Sequence, residues 1–335
     1  MRSSATSWPR RRNWRPAPGA EVSSPHLLEP DFLRRLETLT LLSRRMARSG
    51  LRGERRSATR GRGVEYADYR SYQAGDDYRY IDWNIYSRLD RLFVKLFSEE
   101  EDINVHLLID RSASMAAVPG GAAPRREGRP AGPAAAAGAL SKLEYAVRVA
   151  AAIGYIGLVN LDRVGAAGFD RRISGALGPG RGRAQTLHLF RFLGGLSPGE
   201  RSDFSAAMRE YVHTTRRRGL LVLLSDLLMP GGYADALKLA RAHRFDVFIV
   251  HVLSEEDLAP ALAGDLRLID SESGAGVEVT VDGPALRAYL RARDRYLTEL
   301  EQFCLRHRIE YLRTTTATPF TDLILRYLRV GGLIA

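Results

Sequence analysis

The chain has 335 residues, 45% hydrophobic and 27% charged, with a single cysteine and a formal net charge of +11. One cysteine excludes a disulfide framework and a cysteine-based metal site. The charge is unevenly placed: residues 1–63 carry 15 Arg against five acids, whereas the other 272 carry 35 basic and 34 acidic side chains.

Residues 1–28 are rich in Pro, Ser and Arg and are expected to be a disordered basic arm. Such an arm can attract nucleic acid or an acidic surface. Here only Trp8 and Trp14 interleave with its basic residues, and the whole chain uses 47 Arg against three Lys (Lys95, Lys142 and Lys238). Arginine is simply the cation this chain prefers, and nucleic-acid binding is not expected. The first twenty residues have no apolar core and so do not read as a secretory signal. The longest unbroken apolar run, 149–159, is too short to span a bilayer. A soluble, cytoplasmic protein is the expectation.

Residues 31–49 place Phe32, Leu33, Leu36, Leu39, Leu42 and Met46 at helical spacing, with Gly50 as the stop. The apolar face of that helix needs a surface to bury against. Residues 51–63 read as an Arg/Gly-rich linker, which with the helix makes up 29–63. The aromatic-rich stretch 64–103, with a turn signal at Ala74-Gly75-Asp76-Asp77, suggests a small β extension. Asp76, Asp77, Arg79, Asp82 and Arg88 are expected to form a structural salt-bridge and turn network around Trp83, in preference to a second binding site.

From 104 to 330 the pattern changes to alternating apolar strands and amphipathic helices. Strands are predicted at 105–109, 164–169, 220–224, 247–252 and 309–314. Helices are predicted at 143–161, 184–193, 204–215, 233–243 and 285–307. This alternation predicts a doubly wound α/β domain with a mostly parallel sheet covered on both faces. An Ala/Gly/Pro-rich insert, 116–141, interrupts it and is expected to be a flexible loop.

The chemistry sits in "VHLLIDRSASM", residues 105–115. Ligands of parallel α/β sheets bind at the carboxyl ends of strands. Asp110 ends one apolar strand, and Asp226, in "LLVLLSDLL", ends another. Ser112 and Ser114 follow Asp110 in the loop, and Ser202 and Asp203 precede a helix. Carboxylates and hydroxyls are hard oxygen ligands suited to Mg²⁺ or Mn²⁺, and neither Cys nor His occurs in the motif. Asp110, Ser112, Ser114, Ser202 and Asp226 are therefore the candidate metal ligands. A simpler reading makes 110–114 a polar turn capping the next helix, but the matching elements at 202–203 and 226 favour a site.

Other active-site patterns fail on particular residues. A haloacid dehalogenase-type phosphatase needs a second Asp where Ser112 stands, and without it lacks its acid/base group. Neither serine has the Gly-x-Ser-x-Gly frame of a hydrolase elbow. No phosphate-binding Gly-x-x-x-x-Gly-Lys-Ser/Thr occurs. The seven histidines show no ligand spacing, and His106 and His251 fall in predicted strands as core residues.

"DRSAS" resembles the Asp-x-Ser-x-Ser opening of the metal-ion-dependent adhesion site of von Willebrand factor type A domains. Ser202-Asp203 stands where that family has Thr-Asp, and "LSDLL" looks like its final Asp element. Ser at 202 keeps the hydroxyl but loses the methyl that restrains the rotamer. The run Gly75-Asp76-Asp77, Arg79, Ile81-Asp82-Trp83 resembles the signature of the domain of unknown function 58 family, over about residues 30–330. That resemblance implies a type A-like domain and an association with MoxR-type AAA ATPases in assembling or activating other proteins. No reaction is assigned to the family. The expected function is thus a Mg²⁺-dependent protein–protein interaction module, an adaptor and not an enzyme, engaging an acidic loop of its partner. Two alternatives stay open. One is a metal-dependent hydrolase with Asp203 as the free base. The other is a scaffold whose metal site is vestigial.

Overall fold

The computed structural model describes residues 28–39, 65–73, 76, 78–98, 103–116, 140–229, 231–272, 274–327 and 333. The arm before residue 28, the linker 51–63 and the insert from 117 to 139 lie outside the described residues. The chain divides into two compact units, one of residues 46–102 and one of 1–45 with 103–335.

The smaller unit is a two-stranded antiparallel ribbon of β1 (Glu65–Ser71) and β2 (Phe93–Ser98), joined through a short helix α2 (Trp83–Leu89). Asp82 caps α2, its carboxylate accepting the N–H groups of Asn84 and Ile85 at 2.9 and 3.2 Å. The cap places Trp83 in the first helical turn with its side chain outward, 60% exposed and edge-on to Tyr86. Of the residues expected to form a network around Trp83, Asp82 serves the helix backbone and Asp76 accepts the Gln73 N–H at 2.9 Å, while Trp83 itself is exposed and not central. Asp77 lies outside the described residues.

The larger unit is built on a six-stranded sheet in the order β10-β7-β6-β3-β4-β5. The strands are β3 (Asn104–Asp110), β4 (Arg163–Phe169), β5 (Ile173–Gly180), β6 (Leu220–Ser225), β7 (Asp246–Leu253) and β10 (Glu310–Thr315). All pair in parallel except β5, which returns antiparallel to β4 at one edge. The five parallel strands match the predicted set to within a residue or two. Long apolar runs such as Leu220–Leu224 are buried on both faces, as a parallel sheet under two helical layers requires. The edge strand β5 was not predicted. Its sequence, "ISGALGPG", hides a half-buried alternation behind glycines and a proline.

Side-chain alternation along the strands separates the two layers. Leu108, Leu221, Leu223 and Ile249 pack one way, against Phe204 and Met208 of α5 (Phe204–Thr214), Leu237 of α6 (Ala234–Ala242) and Leu300 and Phe303 of α8 (Gly283–Arg306). On the other side α3 (Lys142–Val159) lies over β3 and β4 and packs beside α4 (Gly182–Gly194). Gly154 lets Leu189 of α4 and Leu107 of β3 close directly on the α3 backbone, where any β-carbon would collide with Leu189. Between β7 and α8 come a one-turn helix α7 (Glu255–Leu258) and a hairpin of β8 (Gly264–Ile269) and β9 (Gly276–Val281).

The N-terminal apolar helix is interrupted within its pattern. It runs over α1 (Pro30–Leu36) and ends in a turn at Glu37-Thr38, and residues 40–49 lie outside the described residues. Its face does find a surface. Leu28, Phe32, Leu36 and Leu39 are buried, and Phe32 stacks obliquely on Phe320 at 5.0 Å. Tyr155 and Asn160 of the α3 end donate to Glu37 and to the Leu39 carbonyl at 2.9 and 2.7 Å. Burying four apolar side chains holds the helix where seven residues alone would not.

Candidate functional site

Reading across the sheet, the chain steps from β3 to β4 on one side and to β6, β7 and β10 on the other. The winding reverses between β3 and β6, the place where parallel α/β sheets hold their ligands beyond the strand ends. Asp110 is the last residue of β3, and Asp226 directly follows β6. Both are buried.

Asp110 is held by short local bonds. Its Oδ1 accepts the Ser112 N–H at 2.9 Å, and its Oδ2 accepts the Ser225 hydroxyl at 2.6 Å. Ser112 Oγ and Ser114 Oγ share a hydrogen bond at 3.1 Å, so the two hydroxyls do turn the same way. Among the described residues no Lys, Arg or His comes within ion-pair distance of Asp110. Burial, with the Asp226 charge adding to it, pushes the Asp110 carboxyl up to about 7 against the opposing pull of Ser225 and Ser112.

The Ser202 segment is brought up to this loop by backbone bonds. Ala113 N–H donates to the Glu200 carbonyl at 3.0 Å, and Gly199 N–H donates to the Arg111 carbonyl at 2.6 Å. Ser202 is 6% exposed, and its Oγ is buried with no hydrogen-bond partner among the described residues. Asp203 is differently employed. Its carboxylate caps α5 by accepting the Ala206 N–H at 2.9 Å.

Asp226 meets a cation from its own chain. Lys142, at the first turn of α3 and only 2% exposed, places Nζ 2.7 Å from Asp226 Oδ2 and 3.1 Å from Asp257 Oδ2. Burial works against the ammonium, but the two carboxylates outweigh it and raise its pKa. Asp226 Oδ1 accepts the Leu228 N–H at 3.1 Å. The turn after Asp226 puts Leu227 at φ +53°, a left-handed conformation that costs a branched residue about 1 kcal/mol or more. Tyr296, donating to the Leu227 carbonyl at 2.6 Å, and Ser225 Oγ, accepting the Leu227 N–H at 2.9 Å, hold it there. His251 Nε2 lies 2.7 Å from the Asp226 carbonyl and must donate to it, so Nδ1 accepts from the Tyr311 hydroxyl. That tautomer is neutral, in keeping with burial lowering the His251 pKa to about 4.

The sequence-predicted residues thus converge in part. Asp110, Ser112, Ser114 and Asp226 share one crevice, and Ser202 is tied to it through the 199–203 loop. Lys142, Ser225 and Asp257 were missed. Lys142 had one available signal, its rarity: it is one of three lysines among 47 arginines. Its ammonium is a compact point charge that meets both Asp226 and Asp257, where an arginine would present a planar fork.

The donor set fits a hard divalent cation on two observations: the orphaned Ser202 Oγ, and Asp110 buried without a counter-charge. Asp226 is less free, because Lys142 already answers its charge. Among the described residues no group of three or more His, Cys, Asp or Glu gathers as metal ligands, and the predicted set, two carboxylates with three hydroxyls, is not such a group.

Residues 68–297 match the family model described as "Protein of unknown function DUF58". The chain belongs to that family. An uncharacterized protein of Mycobacterium tuberculosis (strain H37Rv) is 29% identical to this DUF58 protein over 262 residues, covering 77% of this chain and 76% of the relative. An uncharacterized Mycobacterium bovis protein matches to the same extent. Among solved structures, the conserved hypothetical protein BatB from Bacteroides thetaiotaomicron is similar at 15% identity and a TM-score of 0.39, over 68% of this chain and 98% of that one. An aerotolerance-related membrane protein from Bacteroides fragilis gives 14% and 0.33, over 61% and all of its length. Such scores carry no functional argument. No described helix is long and apolar enough to cross a membrane.

Proposed function

We propose that this DUF58 protein is a divalent-cation-dependent protein–protein interaction module of the von Willebrand factor A type, an adaptor for a MoxR-type AAA ATPase in the cytoplasm. Mg²⁺ or Mn²⁺ would be held by Asp110, Ser112, Ser114 and Ser202, with Asp226 beside them. When bound, the ion offers an acidic side chain of a partner loop an electrophilic anchor. One observation carries the reading: a fully buried carboxylate, Asp110, that has hydroxyl neighbours and no basic one, next to a buried hydroxyl with no partner. A buried charge of that kind is costly unless a cation completes it.

The hydrolase alternative needs a base free to activate water, and Asp203 is committed to the α5 N-terminus. Adaptor function is tested by co-purification with the ATPase encoded nearest the gene. Association should be lost with EDTA and in Ser112→Ala/Ser114→Ala. Association that survives both would reject the metal-bridged contact and favour a scaffold with a vestigial site.

A further inference from the structure

The end of the sheet opposite Asp110 and Asp226 is made of the turns that lead from helix to strand, and three of them share one construction. The turns after α3, α6 and α8 each place a residue in the left-handed region: Leu161 at φ +63°, Arg244 at φ +65° and Arg308 at φ +55°. In each, the next N–H reaches back five residues: Asp162 to the Gly157 carbonyl at 2.8 Å, Phe245 to Ala240 at 3.1 Å and Ile309 to Cys304 at 2.9 Å. This closure normally takes glycine, because a β-carbon is strained at that φ. Among the described residues five non-glycine positions have positive φ, and these turns hold three of them. All three residues are exposed, Leu161 by 63%. Arginine there also answers the negative end of a helix dipole, but an exposed leucine answers nothing within the fold.

Further basic and apolar residues are exposed at the same end. Arg216 and Arg217 precede β6, and Arg306 closes α8. Because β5 runs antiparallel, Gly180 pairs with Val164 and brings Arg181 and Arg183 to this end too. The acids in these turns do not balance them: Asp162 is buried, Asp246 meets Arg241 at 3.0 Å, and Glu310 begins β10. Leu305, in the last turn of α8, is 81% exposed, and Val159 ends α3 at 38%. Among the described residues none of the exposed large apolar side chains at this end is aromatic. Five strand spacings of about 4.8 Å spread the basic residues over about 24 Å.

We propose that this end of the sheet docks on an anionic phospholipid bilayer, the arginines meeting lipid phosphates while Leu161 and Leu305 enter the interface. An interfacial site combines these two features, apolar insertion and attraction to anionic headgroups. A nucleic-acid site would use the arginines but not exposed leucines, and this end offers no aromatic on which a base could stack. The inference does not depend on the cation site. Docking by this end leaves Asp110 and Asp226, at the other ends of the same strands, on the side away from the membrane.

The test is co-sedimentation of the full chain with vesicles of equal parts phosphatidylglycerol and phosphatidylcholine, against phosphatidylcholine alone. Residues 1–63 carry 15 Arg of their own, so the difference between parent and variants decides. Arg244→Gly/Arg308→Gly should weaken binding to the anionic vesicles about thirtyfold, and Leu161→Gly about fivefold. Both should melt at or above the parent's temperature, since glycine relieves the left-handed turns. Arg244→Gln/Arg308→Gln, which keeps a side chain at both positions, should lose as much affinity as the glycine pair. Arg171→Gln/Arg172→Gln, which removes the same charge at the Asp110 end, should bind like the parent. A parent with no preference for the anionic vesicles, arginine variants that bind as the parent does, or an equal loss in the control pair overturns the proposal. A parent that ignores the vesicles but binds duplex DNA through the same arginines overturns it in favour of a nucleic-acid site.

Discussion

The crevice has two sides built from the same kind of residue and finished differently. On the β6 side, Asp226 is closed: Lys142 neutralises it, His251 fixes its carbonyl, and Tyr296 and Ser225 lock the turn that follows. On the β3 side, Asp110 is buried as deeply but meets only hydroxyls and one N–H. The two carboxylates end neighbouring strands, so burial alone does not distinguish them. Counter-charge does. A buried acid with its own ammonium is part of the scaffold, whereas one without is available to a cation from outside.

The sharpest way to break that comparison is to remove the ammonium. Lys142→Met should cost about 3–5 kcal/mol in urea denaturation, because it strands Asp226 in the interior. Asp110→Asn should cost less, about 1 kcal/mol, since the amide oxygen keeps the Ser112 N–H, its NH2 donates to Ser225 Oγ with that bond reversed, and an unpaired charge is removed. Equal losses in the two variants would mean that the sides are not different in kind.

A second measurement separates the scaffold's own titration from the crevice's. His106, in β3 but at the far end from Asp110, packs against Tyr211 and Phe245, with Nδ1 2.9 Å from the Tyr211 hydroxyl and Arg218 over the Phe245 ring. Burial, with Arg218 adding to it, lowers its pKa from 6.5 to about 4. The unfolded chain therefore binds the extra proton first as pH falls. The stability His106 contributes is complete above pH 6.5 and is lost between about 6.5 and 4, by at most about 3 kcal/mol. His106→Gln should reduce the steepness of the stability profile in that window by about half, the share of His251, which burial lowers likewise, remaining. A profile as steep as the parent's would assign the acid loss elsewhere.

The smallest expected effect sharpens the open side. Ser112→Ala/Ser114→Ala should change stability by no more than about 1 kcal/mol, the worth of the one hydrogen bond the two hydroxyls share. The same double variant should lose Mn²⁺ binding in calorimetry. A large loss of stability with Mn²⁺ binding retained would make the serines a structural turn and nothing more.

Strand and helix periodicity were legible because burial on one or both faces imposes them locally. The five parallel strands and the helices α3 to α6 and α8 follow that rule. The residues Asp110, Ser112, Ser114 and Asp226 were legible for a related reason: polar residues directly after an apolar strand must emerge at its carboxyl end. β5, β8 and β9 were not, because edge strands and exposed hairpins bury too little to enforce a clear pattern. The helix predicted unbroken over 31–49 turns at Glu37-Thr38, since an apolar stripe says which side is buried and not whether the helix is continuous.

What the sequence determined by itself is therefore the alternation of elements, the parallel sheet and the placing of two acids at strand ends, all consequences of hydrophobic period and chain direction. Which acid is neutralised was decided only in three dimensions. Lys142 lies 84 residues from Asp226, at the start of a helix whose own pattern says nothing of that pairing. Charge pairing depends on distances of a few ångströms between side chains, and only the packing of α3 on the sheet sets those distances.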